Sequence, residues 1–220
     1  LAKEKVSVDV YFGATGEDSI TTLKKHFTAQ ELEFIQFCRV DLPKTHKFPG
    51  HYLWESYQYS KAIYNAYLKT EPTDFIYIQG FAGWYYLKKK HNRTVATAIN
   101  FHGVEMFQKA PSFRVKLEHL LLRPFVLKNL KRADYAFSLG GKLTAILEKL
   151  VPGKVIPMPI GITEQWLADE DPTTSNQPRK FVFIGRYERR KGVEELNEVL
   201  QELLKEQTEP FEMHFIGPRS

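Results

Sequence analysis

Short apolar, β-prone runs alternate with longer helix-period segments along almost the whole chain, and this alternation is what most limits its possible folds. Strand patterns fall at residues 6–12, 33–40, 74–78, 94–99, 135–138, 154–156, 180–184 and 211–216. Helical patterns fall at 52–68, 82–90, 113–122, 142–150 and 193–205. Pro124 is expected to open a separate helical piece after 122, because proline suits a first turn and not a helix interior. A helix between successive strands makes them crossover units, so the sheets should be parallel and the fold class α/β. Residues 181–184 (Phe-Val-Phe-Ile) are expected to form an interior strand, and residues 1–5 the tail of a helix.

Residues 169–178 are polar and proline-bounded, and are expected to be a linker. They would separate a first domain over 1–168 from the start of a second over 179–220. One strand–helix–strand unit does not complete a domain, so the second is expected to be cut short.

Composition narrows the chemistry. No apolar run approaches the ~20 residues needed to span a bilayer. Cys38 is the only cysteine, which removes internal disulfides and cysteine-based zinc sites and suits a cytoplasmic setting. The histidines form no HExxH pattern, and no nucleophile elbow of the G-x-S-x-G type occurs. The formal charge of +5 is uneven: residues 1–165 carry a net +8 and residues 166–220 a net −3. The densest basic stretch runs from Lys109 to Arg132, with seven Lys/Arg and one Glu. Such a stretch can be a solvated helix face, or can rest peripherally on an anionic membrane. The acidic balance of the C-terminal part and the lack of any recognised nucleic-acid motif speak against a nucleic-acid partner.

Three places carry candidate site chemistry. After the strand at 180–184 come Gly185, Arg186 and Lys191, and then a helical pattern. A strand, a cationic turn and a helix N-terminus together suit a phosphate or diphosphate. After the strand at 94–99 come His102, Gly103 and Glu105. Ligands of open parallel sheets bind beyond the C-terminal strand ends, where a histidine can bond a hydroxyl or polarise a reacting group. Ser138 ends another strand and could face the same crevice. The Gln79 to Gly83 turn lacks a dinucleotide fingerprint and could line the same crevice. Tyr52, Trp54, Tyr57, Tyr59, Tyr64 and Tyr67 crowd one helix and are expected mostly in the core.

The Gly185-Arg186, four residues, Lys191-Gly192 spacing resembles the donor-domain opening of the family 4 glycosyltransferases, retaining enzymes of GT-B fold. Asn100-Phe-His-Gly-Val-Glu is similar to their His-Gly site, and Arg132-Ala-Asp-Tyr-Ala-Phe-Ser to their Arg-Ala-Asp motif, where Asp134 would stabilise a loop. Residues 155–163 resemble their interdomain turn, keeping Pro159, Gly161 and Ile162 but with Ile160 for asparagine and Thr163 for aspartate. The resemblance implies two Rossmann-like parallel-sheet domains facing a cleft, the second incomplete here. It implies sugar transfer, with retention, from a UDP- or GDP-type sugar donor to an acceptor hydroxyl, in cell-surface glycan or polysaccharide synthesis, with a glycan or lipid-linked acceptor. Arg186, Lys191 and Gly185 would bind the donor diphosphate, with no metal and no further cofactor. His102 and Glu105 would be catalytic, and Gly103, Ser138 and Gly161 would line the cleft. The family's first strand, glycine loop and later Glu-x7-Glu motif are not found, so truncation at both ends and an inactive 220-residue fragment are expected. A nucleotide-sugar epimerase of the same fold and a non-enzymatic basic binding module are the rivals.

Overall fold

The computed structural model describes residues 1–14, 19–43, 46, 48, 50–89, 95–161, 179–187, 191–206 and 210–218. The expected linker lies outside the described residues. The chain divides into two compact units, Leu1–Gly161 and Ile162–Ser220.

In the first unit, β1 (Val8–Gly13) pairs in parallel with β2 (Ile35–Val40), Val8 opposite Ile35. Two short helices, α1 (Ser19–Lys24) and α2 (Ala29–Leu32), lie between them in sequence. Thr28 and Glu31 close a reciprocal capping box at the start of α2. The expected helix tail at the start is a 3-10 turn, Ala2–Glu4.

A second sheet is built from β3 (Phe75–Gln79), β4 (Ala96–Asn100), β5 (Tyr135–Ser138) and β6 (Val155–Pro157), all parallel and in that spatial order. Among the described residues the first two strands therefore form their own pair and do not join this sheet. The long helix α3 (His51–Tyr67) touches both β1 and β2. Tyr11 of β1 meets the Tyr67 ring edge-on and bonds the Thr70 hydroxyl at 2.7 Å.

The core gathers around β4, a central strand buried for four of its five residues, as parallel strands covered on both faces are. Ile99 packs with Ile78, Ala136 and three helices: α4 (Trp84–Lys89) gives Leu87, α5 (Phe113–Arg132) gives Val126 and Leu130, and α6 (Gly141–Leu150) gives Leu147. Buried Ser60 ties α3 to α4: its hydroxyl donates to the Tyr57 carbonyl at 2.8 Å and accepts from the Tyr85 N–H at 3.1 Å. Of the aromatics on α3, Tyr64 and Tyr67 pack on the core as expected, whereas Tyr52 and Trp54 are more than half exposed.

Pro124 does not open a second piece; it sits inside the continuous helix α5. Its ring removes the N–H that would reach the Leu120 carbonyl, and both residues lie on the exposed side of the helix, where water can replace that bond.

The second unit holds β7 (Arg179–Ile184), α7 (Val193–Glu206) and β8 (Phe211–Ile216), with β7 and β8 parallel and in register from Arg179 opposite Phe211 to Ile184 opposite Ile216. Phe181, Phe183, Phe211 and Met213 face Leu196, Val199 and Leu203 of α7 across an apolar groove. The expected interior strand is instead largely exposed: Val182 stands 53% and Ile184 76% exposed. Among the described residues this unit is a two-stranded sheet with one helix, which covers one face. Among the described residues, no helix is long and apolar enough to cross a membrane.

Candidate functional site

The register of the four-stranded sheet brings the C-terminal ends of its strands to one edge: Gln79 lies opposite Asn100, and Ser138 opposite Pro157. Here β4 ends and the chain runs through Phe101, His102 and Gly103. Phe101 is buried against Phe81, so the next residue is turned out, and His102 is exposed. Its Nε2 lies 3.4 Å from Oε1 of Gln79, at the end of the neighbouring strand. The Gly80 N–H donates to the Asn100 carbonyl at 2.8 Å, fixing the two strand ends together.

Glu105 opens a 3-10 turn, Glu105–Phe107, and folds back over Gly103. A Cβ at 103 would stand 2.6 Å from either Glu105 carboxylate oxygen, so the missing side chain leaves room for that carboxylate. The turn is anchored from α5, where the Arg123 Nε–H donates to the Met106 carbonyl at 2.6 Å and the guanidinium lies 5.9 Å from the Phe107 ring. His102, Gly103 and Glu105 are thus brought together on one strand end, an imidazole and a carboxylate of the kind that hydrogen-bonds polar ligands.

Ser138 ends β5 but is fully buried. Its hydroxyl bonds that of Thr144 at 2.7 Å and accepts from the Gly140 N–H at 3.2 Å, holding the turn into α6. Its carbonyl accepts from the Met158 N–H at 2.7 Å, which fixes the exit of β6. Gly161 lies further along that exit and is exposed, with open space around it.

Asn100 was not singled out from the sequence. It is buried at the end of β4, where its side-chain N–H donates to the Tyr77 hydroxyl at 2.9 Å while its Oδ1 has no hydrogen-bond partner among the described residues. The available signal is a polar residue closing a run of small and apolar ones, Ala-Thr-Ala-Ile-Asn.

In the second unit, Gly185 and Arg186 follow the C-terminal end of β7, and the Gly185 N–H donates to the Ile216 carbonyl at 2.9 Å. Gly217 lies directly on the Gly185 carbonyl, so close that a Cβ at 217 would overlap it. Lys191 and Gly192 precede α7; Gly192 has φ +74°, and its carbonyl accepts from the Leu196 N–H at 2.8 Å. Arg186 and Lys191 are both exposed. The first turn of α7 also carries Glu194 and Glu195. An anion at this helix start would therefore face two carboxylates as well as the dipole, and the cations of the turn would have to outweigh them.

Among the described residues, no three of His, Cys, Asp and Glu gather closely enough to hold a metal ion.

The parallel sheets, the crossover helices and the loops gathered at the strand ends define an α/β fold of Rossmann-like units, the GT-B architecture in part. A solved structure with this arrangement is sucrose-phosphate synthase from Thermosynechococcus elongatus, similar with a TM-score of 0.61 and 15% identity over 86% of this chain. The chain spans about half of that structure, 48% of its length. At this identity the likeness is one of fold. No protein-family model and no curated protein sequence matches the chain.

Proposed function

We propose that this chain is part of a retaining glycosyltransferase that moves a sugar from a nucleotide diphosphate sugar to an acceptor hydroxyl, in glycan or polysaccharide synthesis. The observation that carries this reading is the Gly185-Arg186 turn at the C-terminal end of β7 with Lys191-Gly192 at the start of α7. The resemblance of these residues to the family 4 glycosyltransferases and the likeness of the fold to a sucrose-phosphate synthase both support it. Arg186 and Lys191 hold the donor diphosphate and neutralise the charge that develops on it as the sugar leaves. Such a contribution is larger in the transition state than in the bound donor, so it lowers the barrier. Gly185 lets the backbone come close to the phosphates. His102 orients the sugar or the acceptor, with Glu105 beside it, and Gly103 and Gly161 shape the acceptor side, while Ser138, buried against Thr144, holds the turn into α6. The two cations take the part that a metal ion plays elsewhere, so the proposed reaction needs none.

Calorimetric titration of the full-length protein with UDP, GDP and ADP tests the reading, with Arg186→Ala plus Lys191→Ala as the comparison. One nucleotide should bind, and the double variant should lose it. Failure of the folded full-length protein to bind any of the three would remove the transferase reading. In the full-length enzyme, with donor and acceptor supplied, His102→Ala should lower kcat by about 10²-fold or more; an unchanged kcat would take His102 out of the reaction.

A further inference from the structure

Helix α5 has two apolar sides, and only one is used by the core. Val126 and Leu130 are buried on the inner side. Phe113, Leu117, Leu120, Leu121 and Pro124 recur at the spacing of a single helix face. With about 100° per residue, that face lies opposite Val126 and Leu130. Its apolar members are exposed: Phe113 by 74%, Leu117 by 53%, Leu120 by 48% and Leu121 by 51%. A continuous apolar stripe turned to solvent over three turns is unlike scattered surface leucines, which need no account.

The charges around the stripe say what covers it. Arg114 and Lys116 flank it on either side, and exposed Lys128 and Lys131 continue it toward the helix end. Glu118 is the only acid in the helix, and Arg114 holds it at 3.3 Å. We propose that the outward face of α5 is a membrane-docking surface that lies in the headgroup layer of an anionic bilayer. Phe113, Leu117, Leu120 and Leu121 enter the acyl boundary while the basic rim meets lipid phosphates. A second copy of the chain fits less well, because a two-fold contact would set the same basic rim against itself. Nucleic acid fits less well because aliphatic side chains at the centre of the face offer no stacking platform. This proposal stands apart from the transferase reading and can fail without it.

Co-sedimentation with phosphatidylcholine vesicles, with and without phosphatidylglycerol, tests the proposal. The protein should bind the anionic vesicles and leave the zwitterionic ones free. Leu117→Ser plus Leu121→Ser, and separately Arg114→Gln plus Lys116→Gln, should each weaken binding about tenfold or more. These side chains are outside the core, so the variants should melt with the parent protein. Phe113→Ser repeats the apolar test at the first helical residue, where the fold depends on it least. Absence of binding to anionic vesicles would overturn the proposal. So would undiminished binding by both apolar variants. A dimer in sedimentation velocity that depends on Leu117 and Leu121, without vesicle binding, would assign the face to a second copy instead.

Discussion

At Asp134 a single carboxylate joins the N-terminal ends of β4 and β5. It accepts from the Thr97 N–H and the Thr97 hydroxyl, both at 2.8 Å, and the Asp134 N–H donates back to the Thr97 carbonyl at 3.1 Å. Thr97 is fully buried, so removing the acceptor takes a hydrogen bond from each of two buried donors. Asp134→Ala should therefore cost about 1–3 kcal/mol in urea unfolding; an unshifted midpoint would contradict the role. The stabilising place of Asp134 was legible in its motif. For Ser138 the sequence leaves both roles open: a serine closing a strand reads alike whether its hydroxyl faces a ligand or, as here, Thr144. Cys38 adds a residue-scale expectation. Burial, followed by the nearby Asp9, pushes its thiol above its ordinary value of 9.0. Its alkylation rate should rise at higher pH than that of a free thiol, and a midpoint at the free-thiol value would show that the environment has no effect.

Among elements, α5 separates what periodicity can tell from what it cannot. Its apolar repeat is plain in the sequence, but a repeat does not say which side has a partner. Residues 113–124 present their apolar stripe outward, and the core contacts come mainly from the last two turns. Pro124 misled for a related reason: the rule against interior proline assumes that the lost hydrogen bond and the ring clash decide the outcome. Here the packing of Val126 and Leu130 outweighs them, and the Asn129 side-chain N–H donates back to the Phe125 carbonyl at 2.8 Å within the next turn. Pro124→Ala should raise the unfolding free energy by about 1–3 kcal/mol, since the propensity cost disappears and no buried contact is lost. A lower Tm would mean that the proline shapes a bend the fold requires. The strands were legible to within two or so residues because β-branched and aromatic runs are short and bounded. That β1 and β2 pair apart from β3–β6 was not, because pairing between distant segments is set by packing that no local pattern carries.

For the whole molecule, stability should fall on the alkaline side. Burial holds the phenols of Tyr11 and Tyr59 above their ordinary value of 10.0, as it does the Cys38 thiol above 9.0. Each group keeps its proton more tightly when folded than when unfolded. Their stabilisation is therefore complete below the ordinary values and is lost as pH rises through the raised ones. Urea unfolding across about pH 8 to 11 should show this slope, and Tyr59→Phe should flatten part of it. A flat profile would mean these groups are as solvated in the fold as out of it. The two units also differ in depth: the first has a buried core, while no residue of α7 is buried. Amides of β4, β5 and α5 should outlast those of β7 and α7 in hydrogen exchange, and equal protection would indicate one cooperative block. The β7–β8 pair has a colloidal consequence. Among the described residues each of its strands is paired on one side only, and Phe181 through Ile184 forms an uncharged β-prone run. Such a run is a nucleus for intermolecular strand addition. Concentrated solutions should lose protein first through this segment, with a lag phase that shortens on seeding, and the ceiling on how much protein stays dispersed would be set by the smaller unit.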